Sequence, residues 1–381
     1  MGAVRLHWQT LTKHSYFFIH LTAKEVRLPM NIHPMKTTSV KPVPAIPLFI
    51  LTAMVIFSAI WAVPVSAAVI SHQLDKAVSF QAVTWQNDVA VASGTAGGIY
   101  LSEDNGLHWS KITGPENTTS LQFRDNQRLN SGRLIVMSAG EGQDSGVFIS
   151  DHKGEGWQQV SQGQTASAFY DCFAMIGEER GWLYGDSDVH GLFVLSTEDG
   201  GESWQRQKLN IDAQKSEGGF ASSGTCLNHY NESGIIIGTG NGEQSRLLIQ
   251  DKGQWLSLST PIPGGDAGGV FTVQVSGKAV FVAGGSLKNA DKPAVAWLYH
   301  SGSGKWVALP PLPLKSAVYG SALLPTPEGL EYWVSNPDGV AVLKPDASEW
   351  HLISESNIWS LACQQGKGCI GAGKDGLIEV Y

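Results

Sequence analysis

The sequence has little charge and no cluster of the residues that usually carry chemistry. Only 16% of its residues are charged, and the formal net charge of −8 comes without any Lys/Arg-rich stripe. A nucleic-acid-binding surface needs such a stripe to meet phosphates, so this class is excluded. The histidines lie apart without metal-binding spacing, and no Gly-x-Ser-x-Gly or Walker loop is present. We therefore expect neither a metal nor a cofactor.

Amphipathic helical periodicity, Pro-rich linkers and charge blocks are also absent from residues 69–381. What the sequence does contain is 44 Gly and 13 Trp, with short apolar runs between them. This composition favours a β-rich fold. Because nothing interrupts the pattern, we predict a single domain over 69–381.

The N-terminal segment is predicted to lie outside that domain. Residues 48–63 form an uncharged apolar run that follows two lysines and precedes small residues. This order is typical of a secretory signal peptide. We assign 35–67 to the signal, with cleavage near Ala67 or Ala68, and 1–34 to an overextended start. The mature protein is then expected in the periplasm, and an uncleaved membrane anchor is the alternative.

A Trp recurs through the domain at a nearly constant spacing. The repeated positions are Trp109, Trp157, Trp204, Trp255, Trp306 and Trp350. The first unit contains four apolar runs separated by turn residues, at 79–85, 88–93, 98–102 and 109–112. Four short strands in every 40 to 50 or so residues are typical of a β-propeller blade.

Two of these Trp residues close the same turn pattern. The two matches are Ser102-x-Asp104-x-Gly106-x-x-Trp109 and Thr197-x-Asp199-x-Gly201-x-x-Trp204. The hydroxyl and carboxylate can bond turn amides, Gly accepts a positive φ, and the Trp can pack between neighbouring blades. The pattern resembles the Asp-box, or BNR repeat, and the other four Trp end degenerate copies. We assign these residues a structural role.

The ends of the domain predict how the ring closes. After Trp350, strands are expected at 358–362, 368–372 and 376–380, and the sequence then stops. Residues 68–76 can supply the missing fourth strand, which would hide the edges of an open ring. We predict an all-β, seven-bladed propeller of four-stranded blades, closed by pairing of the N- and C-terminal strands. Six blades are the alternative if the N-terminal strand pairs elsewhere.

Four cysteines in an exported chain favour disulfides. Cys363 and Cys369 bracket a short turn and can bridge across it. Cys172 and Cys226 are expected at similar depth in the inner strands of the third and fourth blades, where they can bridge adjacent blades if their Cα atoms lie within about 7 Å. Buried free thiols are the alternative.

Polar residues gather where inner strands and entering loops should converge on the central channel. They are Arg124, Asp125, Tyr170, Asp171, Asp186, Glu217 and Tyr319. One interpretation is a brace in which Arg124 pairs with Asp125 or Asp171. The other is a ligand or partner site in which Arg124 anchors an anion. If the protein were an enzyme, the candidate acid–base groups would be Asp171, Asp186 and Glu217.

A family resemblance rests on six phrases that occur in phase with the Trp repeat. They are SLQFRD, VMSAGEG, AFYDCFAM, EGGFASSGTC, IGTGNG and TPIPGGDAGGVF. In this order they resemble an exported bacterial branch of the photosystem II stability/assembly factor-like proteins, over most of residues 69–381. The resemblance implies a seven-bladed, non-enzymatic propeller that binds a protein partner.

Two enzymatic alternatives share parts of the pattern. A sialidase-like glycoside hydrolase or lyase would share the Asp-box, but sialidase chemistry needs three Arg from separate blades, and no Arg follows Arg246. A quinone-dependent propeller oxidoreductase would need a cofactor-ligating cluster. We therefore predict a monomeric, non-catalytic scaffold that binds a protein or glycan of the cell envelope.

Overall fold

The computed structural model describes residues 69–232 and 234–381. Within these ranges, 28 strands form seven antiparallel sheets of four strands each. The prediction of a seven-bladed β-propeller is confirmed. The predicted leader at 35–67 and the start at 1–34 lie outside the described residues. No helical segment in the described ranges has the length and apolarity needed to cross a bilayer.

Each of the first six blades uses four consecutive strands, ordered from the channel outwards. Blade 1 contains β2 (Phe80–Gln86), β3 (Val89–Gly94), β4 (Ile99–Ser102) and β5 (Ser110–Ile112). Blade 2 contains β6 (Phe123–Arg128), β7 (Leu134–Ser138), β8 (Gly146–Ser150) and β9 (Gln158–Gln162). Blade 3 contains β10 (Tyr170–Ile176), β11 (Arg180–Asp188), β12 (Gly191–Thr197) and β13 (Gln205–Arg206).

The next three blades follow the same order. Blade 4 contains β14 (Leu227–His229), β15 (Ile235–Gly238), β16 (Gln244–Asp251) and β17 (Gln254–Pro263). Blade 5 contains β18 (Gly268–Ser276), β19 (Ala279–Ser286), β20 (Val295–His300) and β21 (Lys305–Ala308). Blade 6 contains β22 (Gly320–Thr326), β23 (Gly329–Asn336), β24 (Gly339–Leu343) and β25 (His351–Ser354). Short 3-10 turns occupy Thr95–Gly97, Gly142–Asp144 and Lys374–Gly376.

Blade 7 joins the two ends of the domain. Its inner three strands are β26 (Ile358–Gln364), β27 (Gly368–Gly373) and β28 (Leu377–Val380), and its outer strand is β1 (Ile70–Gln73). Ile70 pairs with Val380, and Gln73 pairs with Leu377. The predicted closure is therefore confirmed. Because the first strand completes the last sheet, the ring is closed by backbone hydrogen bonds between residues about as far apart in sequence as the domain allows.

The hydrophobic core is divided among the interfaces between blades. Each of the seven interfaces has its own buried cluster. The six repeated Trp residues each pack into the cluster that their blade shares with the preceding one. Trp204 of blade 3, for example, packs against a cluster that includes Ile135 and Met137 of blade 2. The repeat in the sequence thus corresponds to a repeat in the packing.

Two disulfides cross-link the ring. Cys172 in β10 is bonded to Cys226, which precedes β14, so blades 3 and 4 are joined covalently with a Cα–Cα distance of 6.0 Å. Cys363 and Cys369 face each other across the β26–β27 hairpin. Both pairs are those expected from the sequence.

The two turns with the full sequence pattern have the same hydrogen bonds. In the first, the Ser102 hydroxyl accepts from the Gly106 amide (2.9 Å), and Asp104 accepts from the His108 amide (2.8 Å). The Trp109 indole donates to the Gly106 carbonyl (2.9 Å). The turn that ends in Trp204 repeats these contacts through Thr197, Asp199, Ser203 and Gly201. In these turns the carboxylate organises backbone.

Asp104→Ala should lower the melting temperature at neutral pH but not in strong acid. A hydrogen bond from the His108 side chain, helped by the His108 amide, lowers the pKa of Asp104 to about 2. The stability that this carboxylate contributes is therefore present above about pH 4 and lost as the pH falls towards 2. Thermal melts of variant and wild type should converge across that window. Glu116→Ala, at an exposed position, should show no such pH-dependent gap; an Asp104→Ala gap that persists at the acid end would contradict the assignment.

Candidate functional site

The inner strands reach the channel through β-bulges. Five of them contain a register shift near the start of the strand. The residues at these shifts are Gln81, Arg124, Asp171, Phe271 and Trp359. A bulge leaves one residue outside the ladder and re-aims its side chain. Two of the predicted site residues, Arg124 and Asp171, therefore occupy equivalent places on neighbouring blades.

The centre of the ring is filled by the chain itself. Residues 218–224, which we call the plug, lead into β14 and contact residues in or next to the inner strands of five other blades. Its partners are Arg124 and Asp125 of blade 2, Asp171 of blade 3, Phe271 of blade 5, Tyr319 ahead of β22 in blade 6, and Ser360 of blade 7. A segment can reach all five only by crossing the channel. The four residues 220–223 are all buried.

One side of the plug is acidic. The buried Asp171 carboxylate accepts a hydrogen bond from the Gly219 amide at 2.9 Å. Asp186, near the end of β11, lies against the same part of the plug, and a Cβ at Gly218 would overlap its carboxylate. A Cβ at Gly219 would likewise meet Asp171, so the close approach of two carboxylates, and not a turn, favours glycine at both positions.

The other side of the plug is aromatic. Phe220 stacks on Phe271 with ring centroids 3.6 Å apart, and Phe271 faces Tyr319 at 6.1 Å. Tyr319 meets Trp359 edge to face at 5.4 Å. The Tyr319 carbonyl accepts hydrogen bonds from the hydroxyls of two plug serines, at 3.0 and 2.8 Å. The aromatic residues at the channel thus hold the plug in place.

Arg124 and Asp125 serve different neighbours. The Arg124 guanidinium donates to Gln122 at 2.7 Å and to the Ala221 carbonyl of the plug at 3.2 Å. It attracts Asp171 through space but donates neither to Asp171 nor to Asp125. Asp125 accepts the amide of Phe173 in blade 3 at 2.8 Å. Because burial outweighs this hydrogen bond, the pKa of Asp125 is raised well above its ordinary range.

Glu217 anchors the plug at its base. Its fully buried carboxylate forms two hydrogen bonds with Arg246 of β16, to Nε (2.7 Å) and Nη2 (2.6 Å), and accepts the Gln214 amide at 2.9 Å. The bidentate geometry fits a guanidinium and a carboxylate. A group held in this way positions backbone rather than meeting solvent.

Tyr170 lies apart from the plug, at the back of a groove between blades 2 and 3. The groove has a volume of about 490 Å³. The Tyr170 hydroxyl is 3.0 Å from that of Ser161, and its ring lies 5.6 Å from Phe193. Arg206 covers Phe193 at 4.2 Å and pairs with Asp188. The polar and aromatic side chains at this edge of the groove therefore already contact one another.

The structure brings six of the seven predicted channel residues to the plug or its base, and Tyr170 faces the groove. The plug itself and the anchoring role of Arg246 were not predicted from the sequence. The run EGGFASSG, small residues around one Phe, could have indicated close packing, but nothing local shows where such a segment goes. Within the described residues, no group of three or more His, Cys, Asp or Glu side chains could hold a metal ion.

These features define a seven-bladed propeller whose channel is closed by its own chain. No family model and no curated protein matches the sequence. Solved structures with the same fold include YCF48 bound to D1 peptide, with 13% identity, a TM-score of 0.57 and coverage of 82% of this chain and 94% of that one. YCF48 from Cyanidioschyzon merolae has 12% identity and a TM-score of 0.61, covering 83% of this chain and 99% of that one. A chain of the mitotic checkpoint complex has 14% identity and a TM-score of 0.55, covering 83% and 93%. These likenesses show the propeller fold.

Proposed function

We propose that this protein is an exported, assembly-factor-like propeller of the Asp-box type that binds a protein partner in the cell envelope without catalysis of its own. The observation that carries the proposal is the plug. The Gly219 amide of the plug donates to Asp171, and the Glu217 carboxylate at the base of the plug is held by Arg246. Both carboxylates are buried, so neither has an open path to a substrate. A propeller without an open funnel can still present its rim and mouth to another protein.

The mouth above the plug has the chemistry of a protein-binding surface. Arg124, Tyr319 and Trp359 are each half-buried there, as is Gln122. Arg, Tyr and Trp are the residue types that dominate binding energy in protein interfaces. YCF48, which shares the fold, has been solved bound to a peptide, and this precedent supports a peptide-like segment as the contact. The two disulfides support an oxidising compartment, in keeping with the proposed export, and the protein is expected to act as a monomer.

The test compares two arginines of one strand. Arg124 lies near the mouth end of β6, and Arg128 lies at its opposite end, with both half-buried. A tagged protein is cross-linked in native cells, its partner is identified by mass spectrometry, and the purified pair is then titrated. Arg124→Gln should raise the dissociation constant by about tenfold or more, as expected for a hot-spot arginine, while Arg128→Gln should leave it unchanged.

Either of two results would count against the proposal. Equal affinities for the Arg124→Gln and Arg128→Gln variants would remove the mouth as the binding face. Failure to titrate any captured protein to a saturable one-to-one complex would remove the scaffold function itself.

A further inference from the structure

Asp171 and Asp186 form a pair of carboxylates beneath the plug. Asp171 is only 1% exposed, and its Oδ2 accepts the Gly219 amide. Asp186 faces the same amide, and its carboxylate lies directly against Gly218. Two acidic side chains of one blade thus share a single stretch of plug backbone.

The groups around this pair do not neutralise it. From β6, Arg124 attracts Asp171 but is committed to Gln122 and the plug carbonyl. From β16, Arg246 is held by Glu217 at the base of the plug.

Two further buried groups face the same region. The Tyr184 hydroxyl, from β11, has no hydrogen-bond partner among the described residues and lies in the field of the carboxylates. The Asp125 carboxylate, from β6, accepts hydrogen bonds from the Phe173 and Asn126 amides. Of these groups, only the Arg124 guanidinium attracts the pair, and its hydrogen bonds are made to Gln122 and the plug instead of to Asp171.

We propose that the plug is a pH-sensitive closure of the channel, seated while the Asp171–Asp186 pair holds a proton and loosened when both carboxylates are charged. Two charges at one amide repel each other and the extra charge is poorly solvated, so the fully ionised pair favours displacement of the plug and entry of water. The proposed movement of the plug does not rest on the function proposed above.

The direction of the effect follows from the titration of the pair. Burial raises the pKa of Asp186 to about 6, and burial together with the neighbouring Asp186 raises the pKa of Asp171 well above its ordinary range. The seated state therefore holds protons that an opened state would release. The stabilisation that these protons give the seated plug is fully present below about pH 4 and is lost as the pH rises through about 6.

Hydrogen exchange of the plug amides in the full chain tests the proposal without any partner. If opening returns Asp186 to an ordinary pKa near 4, the protection factors of residues 218–224 should fall about tenfold between about pH 5 and about pH 8. Protection factors already correct for the pH dependence of intrinsic exchange. Asp186→Asn, which cannot ionise, should keep the plug protected at both pH values.

Two further variants bracket this result. Asp346→Asn, at an exposed position on blade 6, should behave as wild type. Gly218→Ala should unseat the plug at both pH values, because the added Cβ overlaps Asp186. Circular dichroism of each variant serves as the check that it is folded.

Three outcomes would overturn the proposal. The first is protection that does not depend on pH in the wild type, and the second is an undiminished pH dependence in Asp186→Asn. The third is protection at about pH 8 that calcium chloride restores and a chelator removes, since the pair would then hold a cation instead of a proton. Because no partner is present, loss of the proposed scaffold function would leave this result unaffected.

Discussion

Arg246→Met should lower the free energy of unfolding by about 3–5 kcal/mol. The substitution keeps most of the side-chain volume but leaves the fully buried Glu217 carboxylate without its bidentate partner. An unpaired charge at that depth is far more costly than the loss of an exposed ion pair. Urea denaturation monitored by tryptophan fluorescence measures the change, and the plug should be the first segment to lose protection.

Arg133→Met is the matched control. Arg133 also donates to two carboxylates, Asp151 at 2.5 Å and Glu202 at 2.9 Å, and it bonds the Gly200 carbonyl as well. Its partners, however, are more than half exposed, so the loss should be only about 0–1 kcal/mol. Equal losses for the two arginines would contradict the account of Glu217 as a buried anchor. Adding Glu217→Gln to Arg246→Met should recover part of the loss, because it removes the orphaned charge.

Removing the disulfide between blades 3 and 4 should cost about twice as much stability as removing the one in blade 7. Cys172 and Cys226 are separated by 54 residues in sequence, and Cys363 and Cys369 by 6. In the chain-entropy account, a longer closed loop restricts the unfolded chain more, which gives roughly 4 kcal/mol for the first bridge and roughly 2 kcal/mol for the second.

The comparison uses two double variants, one with both cysteines of each pair replaced by alanine. Chemical denaturation of each, beside the wild type, gives the two free-energy differences. The variant without the Cys172–Cys226 bridge should also unfold with reduced cooperativity, because no disulfide then joins blades 3 and 4, which keep their shared core and hydrogen bonds such as that between His229 and the Met175 carbonyl. A larger loss from the Cys363–Cys369 variant would show that strain or local packing, and not loop closure, sets the contribution of each bridge.

The largest features of the architecture could be predicted because they are repeated and local. A Trp at or next to the start of the outer strand recurs in the first six blades, together with four apolar runs per unit and turn motifs such as the one from Ser102 to Trp109. Each of these blades is therefore specified by neighbouring residues. Closure was predictable for a related reason. Three strands remained at one end of the domain and one at the other, and β1 had only one edge to complete.

The candidate site was predictable only in part. Residues such as Arg124 and Asp171 are at equivalent positions of adjacent inner strands, and the repeat is enough to send them to the channel. Their partners are not near them in sequence. Arg124 bonds Ala221 across 97 residues, and Ser360 bonds Ser223 across 137 residues.

The four-stranded blade, the number of blades and the closure of the ring all follow from the amino-acid sequence, because hydrophobic alternation, turn residues and repeat spacing act over a few tens of residues. The filling of the channel, in contrast, depends on contacts that form only in the folded ring. The plug has no periodicity, and its position depends on the radius of a seven-membered ring and on glycine positions that are interpretable only once Asp186 and Phe271 are in place. The closed ring determines which residues meet at its axis, and that geometry exists only when all seven blades are assembled.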